Sequence, residues 1–398
     1  MTILGKDSKI LIAGAGPSGL ALAQMLRKEG INFEIFERDV SRPQGWSVGL
    51  DKCLDELERL LPGDIGGFAT LSPNYALKRL DSFAVMDGAT HRVVGVTGSK
   101  SLEEHGSRMF FCPREKIRNL LTPHTNLQTD KHVTGYSDDA DGVTLRFKDG
   151  TTARGALLVA ADGARSTVRR QLLERSPLIP TNFVVIHGVV RLSQDQWRPI
   201  LEHSSCGILL GTDTCKFYFL LIEHCDGHGD GNGDALFNWN VSYRSDDVAV
   251  DDTWASSATA EQLLQKALAV IKNFPPFLVD GIRRTPLEGI QRPPIGLVET
   301  VLPDQLLPRG NVTLMGDAAH SMLPFRGMGA NTALLDACDL AKAIIHGVRT
   351  ASSVDSVLQA YERVMVPRGR EHVLASHAVG EGAVASELAG GRLEEGSA

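Results

Sequence analysis

Ile10-Leu11-Ile12-Ala13-Gly14-Ala15-Gly16-Pro17-Ser18-Gly19 is the stretch whose reading decides the fold. Four apolar or small residues predict a buried strand, and the glycines at 14, 16 and 19 turn it into a helix over Leu20 to Lys28. Gly14 suits a tight turn, Gly16 a backbone that approaches a pyrophosphate, and Gly19 close helix–strand packing. With Pro17 and Ser18 in the turn that leads into it, that helix offers unpaired N–H groups and a positive dipole end to the phosphates. A second strand, Asn32 to Glu37, ends in a carboxylate 18 residues beyond Gly19, with Arg38 beside it. Such a carboxylate is suited to accept hydrogen bonds from a ribose. Strand, helix, second strand and terminal acid in register read as a dinucleotide-binding unit; a glycine-rich turn in an ordinary α/β domain is the alternative.

Composition narrows the class. A chain of 398 residues builds one large or two modest domains, and 42% hydrophobic with 22% charged residues is ordinary for a soluble globular protein. The formal charge of −7 argues against a nucleic-acid partner, which calls for a basic face. The first residues show no apolar signal segment, and no apolar run reaches the roughly 18 residues of a membrane span. Six scattered cysteines without a CxxC pair read as reduced thiols, so a cytoplasmic location is expected.

Further along, Arg42-Pro-Gln-Gly45-Trp46-Ser47-Val48-Gly49-Leu50 is a glycine-bearing loop leading to a helix over Cys53 to Leu61. Residues 75–99 alternate as antiparallel strands do, and Arg114 opens a helix reaching Leu121. Strands are expected at Gly135 to Ser137 and Val143 to Phe147, and a fully apolar central strand at Ala156 to Ala161. Between about 180 and 285 strand-like runs dominate: Phe183 to Leu192, Gly207 to Leu210, Lys216 to Ile222 and Leu236 to Tyr243. The run Asp226 to Asp234 invites a calcium-loop reading, but Ala235 and Val241 stand where an EF-hand needs glycine and glutamate. His224, Cys225 and His228 on such a loop are too loosely held for a zinc site, so no metal is expected. A helix over Ala260 to Lys272 follows, then a strand over Asn311 to Met315, a long helix over Ala330 to His346 and a last one over Val354 to Val364.

Three separated motifs line up: the glycine turn with Glu37; Ala161-Asp162-Gly163-Ala164-Arg165-Ser166-x-Val168-Arg169; and Leu314-Met315-Gly316-Asp317-Ala318-Ala319-His320, continued by Pro324-x-x-Gly327-x-Gly329-Ala330-Asn331 and Leu335-Asp336-Ala337. In this order they resemble the single-component FAD-dependent aromatic hydroxylases of the para-hydroxybenzoate-hydroxylase type. Arg42-Pro-Gln-Gly45-Trp46 looks most like fungal natural-product members. The resemblance spans about residues 8–375. It implies an α/β fold in which a Rossmann-like FAD-binding domain (1–74, 102–178 and 286–346) is interleaved with a mostly antiparallel β-sheet substrate domain (75–101 and 179–285). Residues 347–398 form a C-terminal helix and tail.

The resemblance also assigns roles. Asp317 accepts from a ribityl hydroxyl; a helix N-cap acid is the alternative at that place. Gly316, Pro324, Gly327, Gly329, Ala330 and Asn331 bring backbone and a helix N-terminus to the flavin ring. Asp162 and Gly163 serve the cofactor, and Arg114 contacts its ribityl–pyrophosphate region or forms a surface ion pair. Arg165, Arg169 and Arg170 either attract phosphates or belong to a solvated helix. Arg191 and Tyr218 are the candidate catalytic residues, against readings as a strand-end charge and a core residue; His187 ranks below them.

The implied activity is monooxygenation. Non-covalent FAD, with NADPH or NADH as co-substrate and O2, hydroxylates or epoxidises a small aromatic or polycyclic substrate through a flavin C4a-hydroperoxide. The alternatives are a same-fold flavin-dependent dehydrogenase or reductase, and a flavin-binding cyclase without net redox. No second nicotinamide-binding unit is visible, and the chain is expected as a monomer or homodimer.

Overall fold

The structure, a computed structural model, describes residues 2–40, 47–97, 109–173, 178–225, 233–245, 254, 256–292 and 295–382. Residues 42–46 of the expected Arg42–Leu50 loop and most of the run from Asp226, His228 included, lie outside the described residues. Ser47–Leu50 is a strand rather than a loop because it pairs with Phe110–Pro113.

The opening strand, Ile10–Ala13, is buried at all four positions, as a central parallel strand must be. It sits inside a four-stranded parallel sheet ordered Val312–Leu314, Leu157–Ala160, Ile10–Ala13, Phe33–Phe36. Because the strands are parallel, all four end at one edge. Gly14, Glu37, Ala161 and Met315 therefore begin neighbouring loops. The chain passes from the first strand to one neighbour and later returns on its other side. That reversal opens the crevice where α/β sheets bind ligands.

Glycine is required at this turn. Gly14 has φ +108°, and a β-carbon there would lie 2.2 Å from the Ala161 carbonyl oxygen. At Gly19 it would lie 2.1 Å from the carbonyl oxygen of Gly14. The helix Pro17–Lys28 starts with proline in its first turn and ends with Arg27 and Lys28 at the negative end of its dipole. Gly14→Ala forces an unfavourable φ and a backbone clash together. Its expected cost is about 1–3 kcal/mol, read as a lower urea midpoint; an unchanged midpoint contradicts this packing.

The second sheet has seven strands: Ile295–Thr300, Leu178–Leu192, Ala235–Arg244, Cys215–His224, Gly207–Gly211, Phe83–Asp87 and Val93–Thr97. All neighbours are antiparallel except Gly207–Gly211 with Phe83–Asp87. Side chains alternate across the sheet. One face carries Ile186, Phe217, Phe219, Phe237, Trp239 and Val241, covered by the helices Ala260–Val270 and Pro276–Arg283. The opposite face carries His187, Tyr218, Asn238 and Asn240, and Asn238 lies 3.5 Å from the hydroxyl of Ser47 in the strand Ser47–Leu50. The mixed sheet thus turns its polar face toward the parallel-sheet half. Two smaller sheets complete the fold, Ser47–Leu50 with Phe110–Pro113, and three strands from Val133 to Gly155.

Several expectations change. Residues 75–82 form turns and extended chain, so among the described residues of the 75–99 stretch strands occupy only Phe83–Asp87 and Val93–Thr97. Ile295–Thr300, within the segment expected in the FAD domain, pairs with Leu178–Leu192 in the larger sheet. The last helix runs from Val354 to Glu381, straight through Pro367, rather than ending at Val364. Tertiary anchors offset the hydrogen bond that proline removes. Arg368 pairs with Asp336 and Asp339, Arg370 donates to the carbonyl of Leu302, and Gly369 packs on His320 so closely that a β-carbon would lie 2.6 Å from its ring. Among the described residues no helix is long and apolar enough to cross a membrane.

Candidate active site

At the C-terminal edge of the parallel sheet, Glu37 sits half-buried at the end of its strand. One carboxylate oxygen accepts from the N–H of Ala15 and the other from that of Asp39, each at 3.0 Å. The glycine turn and the acid are therefore braced together, with a lone pair left on each oxygen. Arg38 beside it is exposed. Ser18, in the first turn of the helix, packs against Gly316: a β-carbon at Gly316 would lie 3.1 Å from the Ser18 hydroxyl. First and third motifs touch here.

The second motif joins them. One Asp162 oxygen accepts from the N–H of Thr167 at 2.9 Å, while the other is buried without a hydrogen-bond partner. Burial pushes the Asp162 carboxyl above its ordinary value, opposed by these hydrogen bonds. Arg169 is fully buried and donates to the carbonyls of Ala318 at 2.8 Å and Ala164 at 2.6 Å. The expectation of a phosphate-attracting or solvated arginine is corrected at this position, since Arg169 staples the Asp162 loop to the Asp317 turn. Arg165 and Arg170 are exposed.

Asp317 opens a short helix, Asp317–His320, and its carboxylate makes no hydrogen bond among the described residues. Behind it lies a buried network that sequence reasoning missed. Asp336 accepts from the N–H of Gly316 at 2.9 Å and meets His320 at 2.5 Å and Arg368 at 2.8 Å. Burial alone would raise the Asp336 carboxyl, but His320 and Arg368 hold it below its usual range. Pro324 starts a single turn ending at Gly327, whose φ of +65° precedes the helix Met328–Thr350. Gly329 and Ala330 lie in its first turn. Asn331 differs from its expected use. Its amide donates to the Gly49 carbonyl at 2.9 Å and accepts from the Asp51 N–H at 3.0 Å, so its side chain fixes the loop after Ser47–Leu50.

These residues fit FAD. A β-carbon at Gly16, Gly163 or Gly327 would meet nothing within 4 Å, which leaves a glycine-floored cradle around a free helix N-terminus. Asp162, Asp317 and Glu37 supply acceptors for hydroxyl groups. Arg114, at the start of the helix Arg114–Leu121, makes no hydrogen bond or ion pair among the described residues.

Across from this edge, the polar sheet face gathers a second group. His187 Nδ1 lies 2.5 Å from Asn240 Oδ1, and the Asn240 amide donates to the Tyr218 hydroxyl. Burial lowers His187 to about 4, so its ring is neutral. Burial likewise keeps the Tyr218 phenol protonated, opposed by the charge of nearby Arg114. Phe111, Cys206 and Leu220 cluster beside Tyr218 with Phe83 and Met109, giving one polar wall and one apolar wall. Arg191 is elsewhere. It is exposed near the strand end, four residues and about 13 Å along from His187. The structure does not bring the two expected catalytic residues together.

A family model described as FAD binding domain matches residues 76–256 and 305–376. The FAD-dependent monooxygenase thnD of Trichoderma harzianum is 33% identical over 386 residues, covering 92% of this chain and 91% of that protein. Among solved structures, Klebsiella pneumoniae HpxO complexed with FAD and uric acid superposes with TM-score 0.74 at 23% identity, covering 94% of this chain and 88% of that one. The 2,6-dihydroxypyridine-3-hydroxylase of Arthrobacter nicotinovorans does so with TM-score 0.74 at 20% identity, covering 99% and 96%. Both structural likenesses are likenesses of fold.

Proposed function

The chain belongs to the FAD-binding-domain family of flavin monooxygenases of the aromatic-hydroxylase type, and on that premise we propose that it uses NADPH or NADH and dioxygen to hydroxylate or epoxidise a small aromatic or polycyclic compound. The observation that carries this reading is a juxtaposition. Four motif-bearing strand ends of the parallel sheet lie at one edge. The strand Ser47–Leu50, bonded to Asn331 on one side and Asn238 on the other, ties that half to the sheet face that presents Tyr218 beside an apolar wall. Support for the substrate class comes from the hydroxylated pyridine and the uric acid named for two fold neighbours.

FAD, when bound, supplies the hydride acceptor and the activation of oxygen. The chain does the rest. Glu37, Asp317 and Asp162 hold hydroxyl groups of the cofactor, and Arg114 places positive charge near its phosphates. Phe83, Phe111 and Leu220 exclude water from the reacting ring. Tyr218 donates its hydroxyl proton to an oxygen substituent of the substrate, and so orients it.

Holoenzyme incubated with NADPH or NADH and a panel of electron-rich aromatic compounds tests this. Acid should release FAD into solution, and a true substrate should accelerate both pyridine-nucleotide oxidation and oxygen uptake. Tyr218→Phe is expected to lower product per NAD(P)H by a factor of about 10². Arg191→Ala is expected to stay near the parent, because Arg191 is exposed and apart from the cluster. A large loss in Arg191→Ala with a fully coupled Tyr218→Phe would reverse the assignment. Oxidation of substrates without oxygen uptake would replace monooxygenation by dehydrogenation.

A further inference from the structure

We propose that His187 and Asn240 are positioning residues that fix the direction of the Tyr218 hydroxyl, making it a donor toward the substrate side of the sheet. The three residues stand on adjacent strands at directly opposed positions, His187 across from Asn240 and Asn240 across from Tyr218. They therefore share one face and touch in series. Asn240 is fully buried and His187 is 2% exposed, so neither finds its partners in solvent.

The direction follows from the chemistry of each atom. Asn240 Oδ1 only accepts, so the proton on the neutral His187 ring sits on Nδ1 and points at Asn240. Asn240 Nδ2 only donates, so Tyr218 receives a hydrogen bond on its oxygen. The phenolic proton is then excluded from the Asn240 side and is free for another acceptor. A flipped amide would reverse every link. Tyr218 would then donate to Asn240, and His187 would carry its proton on Nε2, a buried atom with no hydrogen-bond partner. A buried N–H left unpaired is the costlier defect.

The sequence carries the signal in retrospect. Asn238-Trp239-Asn240 alternates two amides with a fully buried indole, so both amides fall on one face of the strand, which Ser242 continues. Isolated buried amides need partners, and here the partners are ordered in a chain.

This inference rests on reading the polar face as the substrate side, and the tests separate the two. In holoenzyme labelled with nitrogen-15 at histidine, His187 is assigned by the signal lost in His187→Asn. Between about pH 5 and 8 its ring is expected to show a protonated Nδ1 and a bare Nε2 throughout. A proton on Nε2, or a doubly protonated ring in that range, overturns the proposal whatever the reaction is. The second arm uses product formed per NADPH with the substrate found by the screen. His187→Leu is expected to lose about tenfold. His187→Asn, whose amide nitrogen replaces Nδ1 at the same distance along the side chain, is expected to return to within about twofold of the parent. His187→Leu added to Tyr218→Phe is expected to cost nothing more. Additive losses, or an Asn variant no better than Leu, overturn a role exercised through Tyr218. Where His187→Leu fails to fold, the tautomer of the unaltered holoenzyme still decides.

Discussion

Asp336→Ala is expected to lower the stability of the fold by about 3–5 kcal/mol, because it strips the shared counter-charge from two buried cations at once. Asp336 has no exposed surface, and it faces His320, Arg368 and the N–H of Gly316. Its removal leaves His320 and the Arg368 guanidinium in a low-dielectric interior and frees the turn that carries Asp317. Urea unfolding should show a lower midpoint at an unchanged slope, together with weaker FAD retention. Asp336→Asn keeps an acceptor for Gly316 and should recover part of the loss. The network also fixes the pH response. Asp336 is held below its ordinary value, so its contribution is present above about pH 4 and is lost on further acidification. Burial lowers the His320 pKa, but Asp336 outweighs it and raises the ring above 6.5 overall. That contribution is complete below pH 6.5 and fades as the pH climbs through the raised value. A parent and an Asp336→Ala variant with equal midpoints would remove the network from the stability of the fold.

The double variant Glu37→Ala/Asp317→Ala should lose about 10²–10⁴-fold in FAD affinity. Each carboxylate offers a charged acceptor to a hydroxyl, and each such bond contributes about 1.5–3 kcal/mol, or roughly ten- to a hundredfold. The two strands lie three positions apart in the sheet, about 14 Å, so the losses should add. Glu37→Ala has a second effect, since it leaves the Ala15 N–H without its acceptor and loosens the glycine turn. Fluorescence titration of apoprotein with FAD reads both singles and the double. Parental affinity in the double variant would place the cofactor elsewhere.

Local motifs made the C-terminal edge of the parallel sheet legible. A glycine at φ +108° or a carboxylate at a strand end leaves a mark within a few residues of sequence. Other features depend on distant partners and left no such mark. Arg169 reads as a surface cation until two carbonyls some 150 residues away in sequence are seen to enclose it. The last helix reads as ending at Val364 until Arg368 and Gly369, beyond Pro367, are seen docked on Asp336 and His320. Asn331 reads as a cofactor ligand because it follows Gly327 and Gly329 in the third motif, while its side chain holds the Gly49–Asp51 backbone. A strand shows which residues share a face but not how they are spaced along it: Tyr218 meets Asn240 within the buried row, while Arg191 stands exposed near the strand end.

The most direct test of monooxygenation is the origin of the oxygen atom in the product. Holoenzyme, NADPH and a substrate that stimulates its oxidation are incubated under heavy-isotope dioxygen in ordinary water, and the product is weighed by mass spectrometry. The expected product carries a single labelled oxygen from dioxygen for each NADPH consumed in coupled turnover. A product whose new oxygen comes from water, or one that has lost hydrogen and gained no oxygen, would contradict it.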